Sequence, residues 1–262
     1  MMTQRRKLLK ILAGGLTAIV GGGVLARTAA AVVGDKEKTS QKRKRYGMVI
    51  DTLRCVGCKS CVLACKAENK TPPGVYYTVV VDQVLSHRPS DKPTFMTKPC
   101  FHCENPQCTS ACPVSATYKR QSDGIVVVDY DRCIGCRYCV TACPYGARWF
   151  DFGEQYPSVT KNTPYAKLPS PEYKQYRDRI QGASPIGNVR KCTLCLHLQD
   201  ENGAYNKASG RWPACAKTCT GHAIHFGDFN DPDSETSILI RERQYMRLKE
   251  ELGTEPSVYY LI

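Results

Sequence analysis

Sixteen cysteines set the chemistry open to this 262-residue chain, and none of them stands apart from the others. They fall in four groups of four: Cys55, Cys58, Cys61 and Cys65; Cys100, Cys103, Cys108 and Cys112; Cys133, Cys136, Cys139 and Cys143; and Cys192, Cys195, Cys215 and Cys219. The first and third groups share the spacing C-x2-C-x2-C-x3-C, and Pro144 follows the third directly. The second has two extra residues before its third cysteine, and the fourth is split, with nineteen residues between Cys195 and Cys215. Every group keeps a terminal C-x3-C. Gly57 and Gly135, each directly before a second cysteine, suit a loop that must turn sharply and present N–H groups to sulfur.

Thiolates at such spacing could hold iron–sulfur clusters, bind zinc or close disulfides. Zinc ribbons are built from paired C-x2-C knuckles and have no use for a third cysteine two residues on. Disulfides would force many short strained loops through these runs. The C-x2-C-x2-C-x3-C run is instead that of bacterial [4Fe–4S] proteins. Its first three cysteines wrap one cubane, and the fourth, expected to open a helix, reaches a neighbouring cluster. No cysteine is replaced in any group, so four complete [4Fe–4S] clusters and no three-iron site are expected. Crossed ligation requires two reciprocal pairs of groups. Groups two and three end in Cys-Pro, at Pro113 and Pro144, whereas groups one and four continue with Lys66 and Thr220. That difference hints that the inner two groups are partners and the outer two are partners.

The remaining composition fits this reading. The formal charge is +13, of which Arg5, Arg6, Lys7, Lys10 and Arg27 supply five within an N-terminal stretch of 31 residues that holds no acid. The rest carries +8. Each oxidised cubane with four thiolates has a net charge of about −2, so the basic residues serve as counter-charge to the clusters. A nucleic-acid partner is not needed to explain them, and none is expected. Residues 1–31 read as a signal peptide: a basic start, a glycine-interrupted apolar run from Ile11 to Ala26, and an A-x-A-like site at Ala29 to Ala31. Arg5-Arg6-Lys7-Leu8-Leu9-Lys10 resembles the twin-arginine export signal, although Gln4 and Leu8 depart from its usual form. The apolar run falls short of the ~20 residues a spanning helix needs, though an uncleaved signal would tether the chain. Export of an already folded protein suits clusters that must be built in a reducing compartment. Residues 32–45, with the basic run at 42–45, read as a solvated linker.

From Tyr46 onward the four groups carry a strong resemblance to the four-cluster iron–sulfur subunits of the dimethyl-sulfoxide reductase superfamily, including those of polysulfide, tetrathionate and formate-dependent nitrite reductase systems. The resemblance implies a nested ligand set. Cys55, Cys58, Cys61 and Cys219 would hold cluster 1, and Cys100, Cys103, Cys108 and Cys143 cluster 2. Cluster 3 would fall to Cys133, Cys136, Cys139 and Cys112, and cluster 4 to Cys192, Cys195, Cys215 and Cys65. It also implies an α+β fold of two pseudo-symmetric ferredoxin-like units in one chain: an outer unit from 46–99 plus 186–233 and an inner one from 100–150. Between them lies an insertion at 151–185, and residues 234–262 follow as a C-terminal helix and docking tail. The implied role is a non-catalytic, periplasmic electron relay of anaerobic respiration. It would run between a multi-span membrane quinol/quinone subunit and a molybdopterin-type catalytic subunit. One alternative is the iron–sulfur subunit of a sulfite-reduction or sulfur-oxidation membrane complex with a haem-protein partner; another, of a different class, is a zinc-stabilised interaction module.

Local patterns predict strands at Gly47 to Ile50, Tyr76 to Val84, Ile125 to Val128, Trp149 to Phe152 and Ala223 to Phe226, with short helices starting within each C-x3-C. Lys66 to Pro99 should form a hairpin. Ser234 to Leu252 reads as one helix capped by Asp233 or Ser234 and stopped at Gly253, and Glu255 to Ile262 as a tail docked on a surface. No catalytic apparatus is evident: His87, His102, His197, His222 and His225 lack a nucleophile or paired carboxylate. His102 and His197, within or beside cysteine loops, could tune potentials through hydrogen bonds to sulfur.

Overall fold

A computed structural model of the chain describes residues 43–71, 74–83, 94–152 and 187–262. The signal segment, all but the end of the linker, His87 with the hairpin tip, and nearly all of the 151–185 insertion lie outside the described residues. The fold is mixed α and β, with small sheets and short helices.

Its centre is a four-stranded sheet of β1 (Tyr46–Asp51), β8 (Ile224–Asp228), β9 (Tyr245–Met246) and β10 (Val258–Leu261), in the order β8-β1-β10-β9. β1 runs parallel to β10, with Met48 opposite Val258 and Ile50 opposite Tyr260, and antiparallel to β8. Alternation along these strands explains the burial of both faces. Met48, Ile50, Phe226, Val258 and Tyr260 enter the core that also holds the buried cysteines. Val49, Tyr259 and Leu261 face the other way, onto Phe229, Leu239 and Ile240. The last two belong to a helix at Glu235–Glu242, capped by Ser234, whose Oγ accepts from Ser237 N at 3.2 Å.

The segment expected as one long helix to Leu252 therefore ends early. After Glu242 the backbone is extended at Arg243, and β9 hydrogen-bonds to β10. Arg243 pairs with buried Asp51, and the Tyr245 ring meets Tyr259 edge-on at 5.2 Å. Pairing with the sheet outweighs the local helical pattern here. Gly253, left-handed at φ 62°, closes a 3-10 turn at Glu250–Leu252 rather than the long helix. The tail is likewise not laid on a surface: Val258 to Leu261 are an internal strand, all four buried.

The other sheets are two-stranded. β2 (Thr78–Gln83) and β3 (Thr94–Pro99) form a hairpin within the Lys66 to Pro99 stretch expected as one, whose first residues, Lys66 to Asn69, are helical instead; β4 (Thr117–Lys119) pairs with β5 (Val126–Val128), and β6 (Trp149–Phe150) with β7 (Val189–Arg190). Four helices carry the terminal C-x3-C segments: α1 (Ser60–Asn69), α2 (Gln107–Ser110), α3 (Tyr138–Thr141) and α4 (Ala214–Lys217). Each starts one residue before the third cysteine of its group, not within the C-x3-C. The fourth cysteine lies a turn later, in α1 or just past α2, α3 and α4, instead of opening a helix. The basic run is solvated only in part. Arg43 and Arg45 reach Glu104 at 3.3 and 3.7 Å, and Lys119 meets the same carboxylate at 2.7 Å.

Candidate metal centre

Groups one and three are built alike. Cys55 N donates to Asp51 O and Cys133 N to Asp129 O, at 3.1 and 3.0 Å. The same two aspartates cap the loops through their carboxylates: Asp51 Oδ1 accepts from Leu53 and Arg54, and Asp129 Oδ1 from Asp131 and Arg132. Gly57 and Gly135 have φ of 69° and 70°, and Lys59 and Arg137 are left-handed just before α1 and α3. A Cβ on Gly135 would stand 2.2 Å from Gly187 O, whereas one on Gly146, at φ 62°, would meet nothing within 4 Å. Gly135→Ala should therefore destabilise the loaded protein by about 1–3 kcal/mol more than Gly146→Ala, read as thermal unfolding; equal losses would show that the loop gives way freely.

Groups two and four form a second matched pair. Pro106 and Pro213 immediately precede α2 and α4. Ser115 and His222 are left-handed, which turns the backbone over the fourth cysteine. Cys112 Sγ thus accepts from Ala116 N at 3.2 Å and Thr117 N at 3.4 Å, and Cys219 Sγ from Ala223 N at 3.2 Å. Cys192 Sγ accepts from Leu194 N at 3.4 Å. Amide N–H groups aimed at sulfur favour thiolates.

The groups interleave. β1 precedes group one and pairs with β8, which follows group four, while α1 packs on α4. In the same way β5 precedes group three and pairs with β4, which follows group two, and α2 packs on α3. The interleaving draws cysteines of paired groups together into nests of sulfur. One cavity is lined by Cys55, Cys58, Cys61 and Cys219, another by Cys133, Cys136, Cys139 and Cys112. Elsewhere Cys65 is buried, and its thiol is pushed well up by burial and then by Cys192, Cys195 and Cys215. Burial, with Cys100, Cys108 and Cys143 beside it, pushes the Cys103 thiol up to about 12. At the exposed rim the reverse holds: Ser60 and then Thr220 hold Cys58 down to about 7, its sulfur 3.4 Å from each hydroxyl.

All sixteen thiols are free, so no disulfide staples the fold. Among the described residues no three His, Cys, Asp or Glu side chains gather tightly enough to grip one ion. All-thiolate donors, with backbone N–H groups aimed at Cys112, Cys192 and Cys219, fit a cubane.

Sequence reasoning missed several neighbours of the sulfurs. Asn69 Nδ2 lies 3.5 Å from Cys65 Sγ and 3.6 Å from Cys195 Sγ, and Thr97 Oγ1 lies 3.9 Å from Cys61 Sγ. Buried Arg148 donates to Cys108 Sγ at 2.9 Å. Only the Asp51 and Asp129 caps had a visible signal, an aspartate four residues before the first cysteine of both runs. His102 and His197 do not donate to sulfur: His102 Nδ1 accepts from Val126 N at 3.0 Å, and His197 Nε2 pairs with Glu68 at 2.7 Å.

Comparison with known proteins agrees with this construction. The 4Fe-4S dicluster domain family matches residues 92–166. A selenate reductase subunit of Mesobacillus selenatarsenatis is 51% identical over 218 residues, 82% of this chain and 70% of that protein. A tetrathionate reductase subunit of Salmonella typhimurium is 37% identical over 84% of this chain and 73% of its own length. The arsenate respiratory reductase iron–sulfur subunit of Shewanella sp. is 35% identical over 83% and 96%. Sixteen free cysteines folded into sulfur nests, and extensive identity with these subunits, place the chain in one family: it belongs to the iron–sulfur subunits of the dimethyl-sulfoxide reductase family.

Proposed function

We propose that the chain holds four [4Fe–4S] clusters in two pseudo-symmetric ferredoxin-like units and relays electrons between two partner subunits without acting on a substrate. The ligand sets are the four nests: Cys55, Cys58, Cys61 and Cys219; Cys192, Cys195, Cys215 and Cys65; Cys100, Cys103, Cys108 and Cys143; and Cys133, Cys136, Cys139 and Cys112. When bound, the clusters supply one-electron chemistry; the polypeptide sets their spacing, burial and hydrogen bonds.

The reading is supported by sulfurs of different groups that neighbour one another and by two exposed cysteines, an arrangement that suits a row of clusters open at both ends. The charge of Cys61 is felt at Cys215 and that of Cys100 at Cys192, while Arg148 feels both Cys108 and Cys139. The terminal nests reach the surface at Cys58 and Cys136, while Cys65, Cys192, Cys195 and Cys215 in between are buried. Exposed Leu53, Val56 and Leu63 flank one end, and Ile134 and Tyr138 the other. Two open ends suit two partners, a molybdopterin-type catalytic subunit and a membrane quinol/quinone subunit, with export to the periplasm by the twin-arginine-like segment. No helix among the described residues is long and apolar enough to cross a membrane, so the partner would supply the membrane contact of the described part.

Anaerobically purified, fully loaded protein should contain about sixteen irons per chain and show reducible EPR signals. Colourless, air-stable protein with stoichiometric zinc would overturn the proposal.

A further inference from the structure

Arg148 lies among sulfurs with no acid to answer its charge. It is 4% exposed, and it forms no ion pair with a carboxylate among the described residues. Isolated charges are strongly disfavoured in such surroundings unless an anion and hydrogen bonds compensate. Its compensation comes from the nests. Nη2 donates to Cys108 Sγ at 2.9 Å and Nη1 to Thr117 Oγ1 at 3.2 Å. Thr117 in turn directs its own N–H to Cys112 Sγ at 3.4 Å, so a single residue orients the guanidinium and touches the sulfur of group two's fourth cysteine. The guanidinium feels the sulfurs of Cys108, Cys139, Cys100 and Cys143. Those four sulfurs come from two different nests.

The outer groups are arranged differently. Side-chain contacts to their sulfurs come from neutral groups: Ser60, Thr220, Thr97 and Asn69. Lys66 influences Cys65, but its ammonium donates to Thr71 Oγ1 and Val75 O and lies over the Tyr76 ring. Buried Lys191 donates to Cys192 O at 2.7 Å, not to sulfur. Among the described residues only Arg148 combines burial, a positive charge and a direct hydrogen bond to a nest.

We propose that Arg148 sets the reduction potential of the inner unit: its guanidinium, shared between the nest of Cys100, Cys103, Cys108 and Cys143 and that of Cys133, Cys136, Cys139 and Cys112, makes both clusters easier to reduce. The inference rests on the four-cluster reading above. Reduction adds one electron and no proton to a site whose net charge is already about −2. A fixed cation in a poorly screened interior favours the more negative state. Arg148 is a positioning residue that acts through the cysteines and does not carry the electron itself.

The test is an EPR-monitored redox titration of loaded wild type, Arg148→Gln and Arg148→Lys, with the inner signals identified as those altered by Cys103→Ser and Cys136→Ser. In Arg148→Gln both inner couples should fall. At the wild-type midpoint of each, the ratio of reduced to oxidised form should drop about tenfold, equivalent to ~59 mV for one electron, with the outer couples unmoved. In Arg148→Lys an ammonium cannot fork between two nests as a guanidinium does. One inner couple should therefore stay near its wild-type value while the other falls. Full iron with both inner couples unmoved in either variant, or an equal drop in all four couples, overturns the proposal. Wild type with well under sixteen irons would sink the four-cluster reading instead, and would do so before any variant is compared.

Discussion

Cys219→Ser is expected to remove the centre built on Cys55, Cys58 and Cys61 while leaving that of Cys192, Cys195 and Cys215 in place, although Cys219 belongs to the latter group in sequence. The geometry behind this is specific. Cys219 lines the cavity of the first group, and Thr220, next to it, puts its hydroxyl 3.4 Å from Cys58 Sγ. Cys65 is the cysteine placed against Cys192, Cys195 and Cys215. Iron should fall by about one quarter, and one EPR component should disappear or change shape. Cys65→Ser should produce the complementary loss. If Cys219→Ser instead removes the signal assigned by Cys195→Ser, the crossed arrangement is wrong for this chain.

The second large effect is mechanical. Removal of residues 257 to 262 should abolish soluble, loaded protein, because β10 lies between β1 and β9 within the sheet. Val258, Tyr259, Tyr260 and Leu261 are all at most 7% exposed. At about 1.5–3 kcal/mol for each large apolar side chain buried, their loss rivals the whole 5–15 kcal/mol that typically holds a domain together. Tyr260 also donates from its hydroxyl to Thr97 O at 2.9 Å, beneath the first group. A milder Tyr260→Ala change should cost about 3–5 kcal/mol, measured by denaturant unfolding under anaerobic conditions. A truncated chain that still loads iron and melts like wild type would show that the sheet closes without its last strand.

These cases mark the boundary of what could be read without coordinates. Cysteine spacing is a local property, so the loops, the glycine turns and the presence of a helix at each C-x3-C were legible, though not where those helices start, as were the strands whose alternation is strong. The pairing of strands across some two hundred positions was not. Val258 to Leu261 is a short apolar run, which looks the same whether it lies on a surface or inside a sheet buried on both faces. The 234–252 stretch has helical composition throughout, and only the partner strand reveals that its second half is claimed by β9. Arg148 was invisible for another reason. Nothing in Ala147-Arg148-Trp149 distinguishes a cation that points at sulfur from one that points at water, and its meaning comes from Cys108, forty residues away.

The pairing of Met48 with Val258 has a further consequence. A nascent chain can wind its early cysteine loops as they leave the ribosome, but it cannot close the sheet beneath them until β10 has been made. Contacts so distant in sequence make for slow, late folding. A polypeptide that stops before Val258 would carry all sixteen cysteines and lack the strand that closes the floor beneath them.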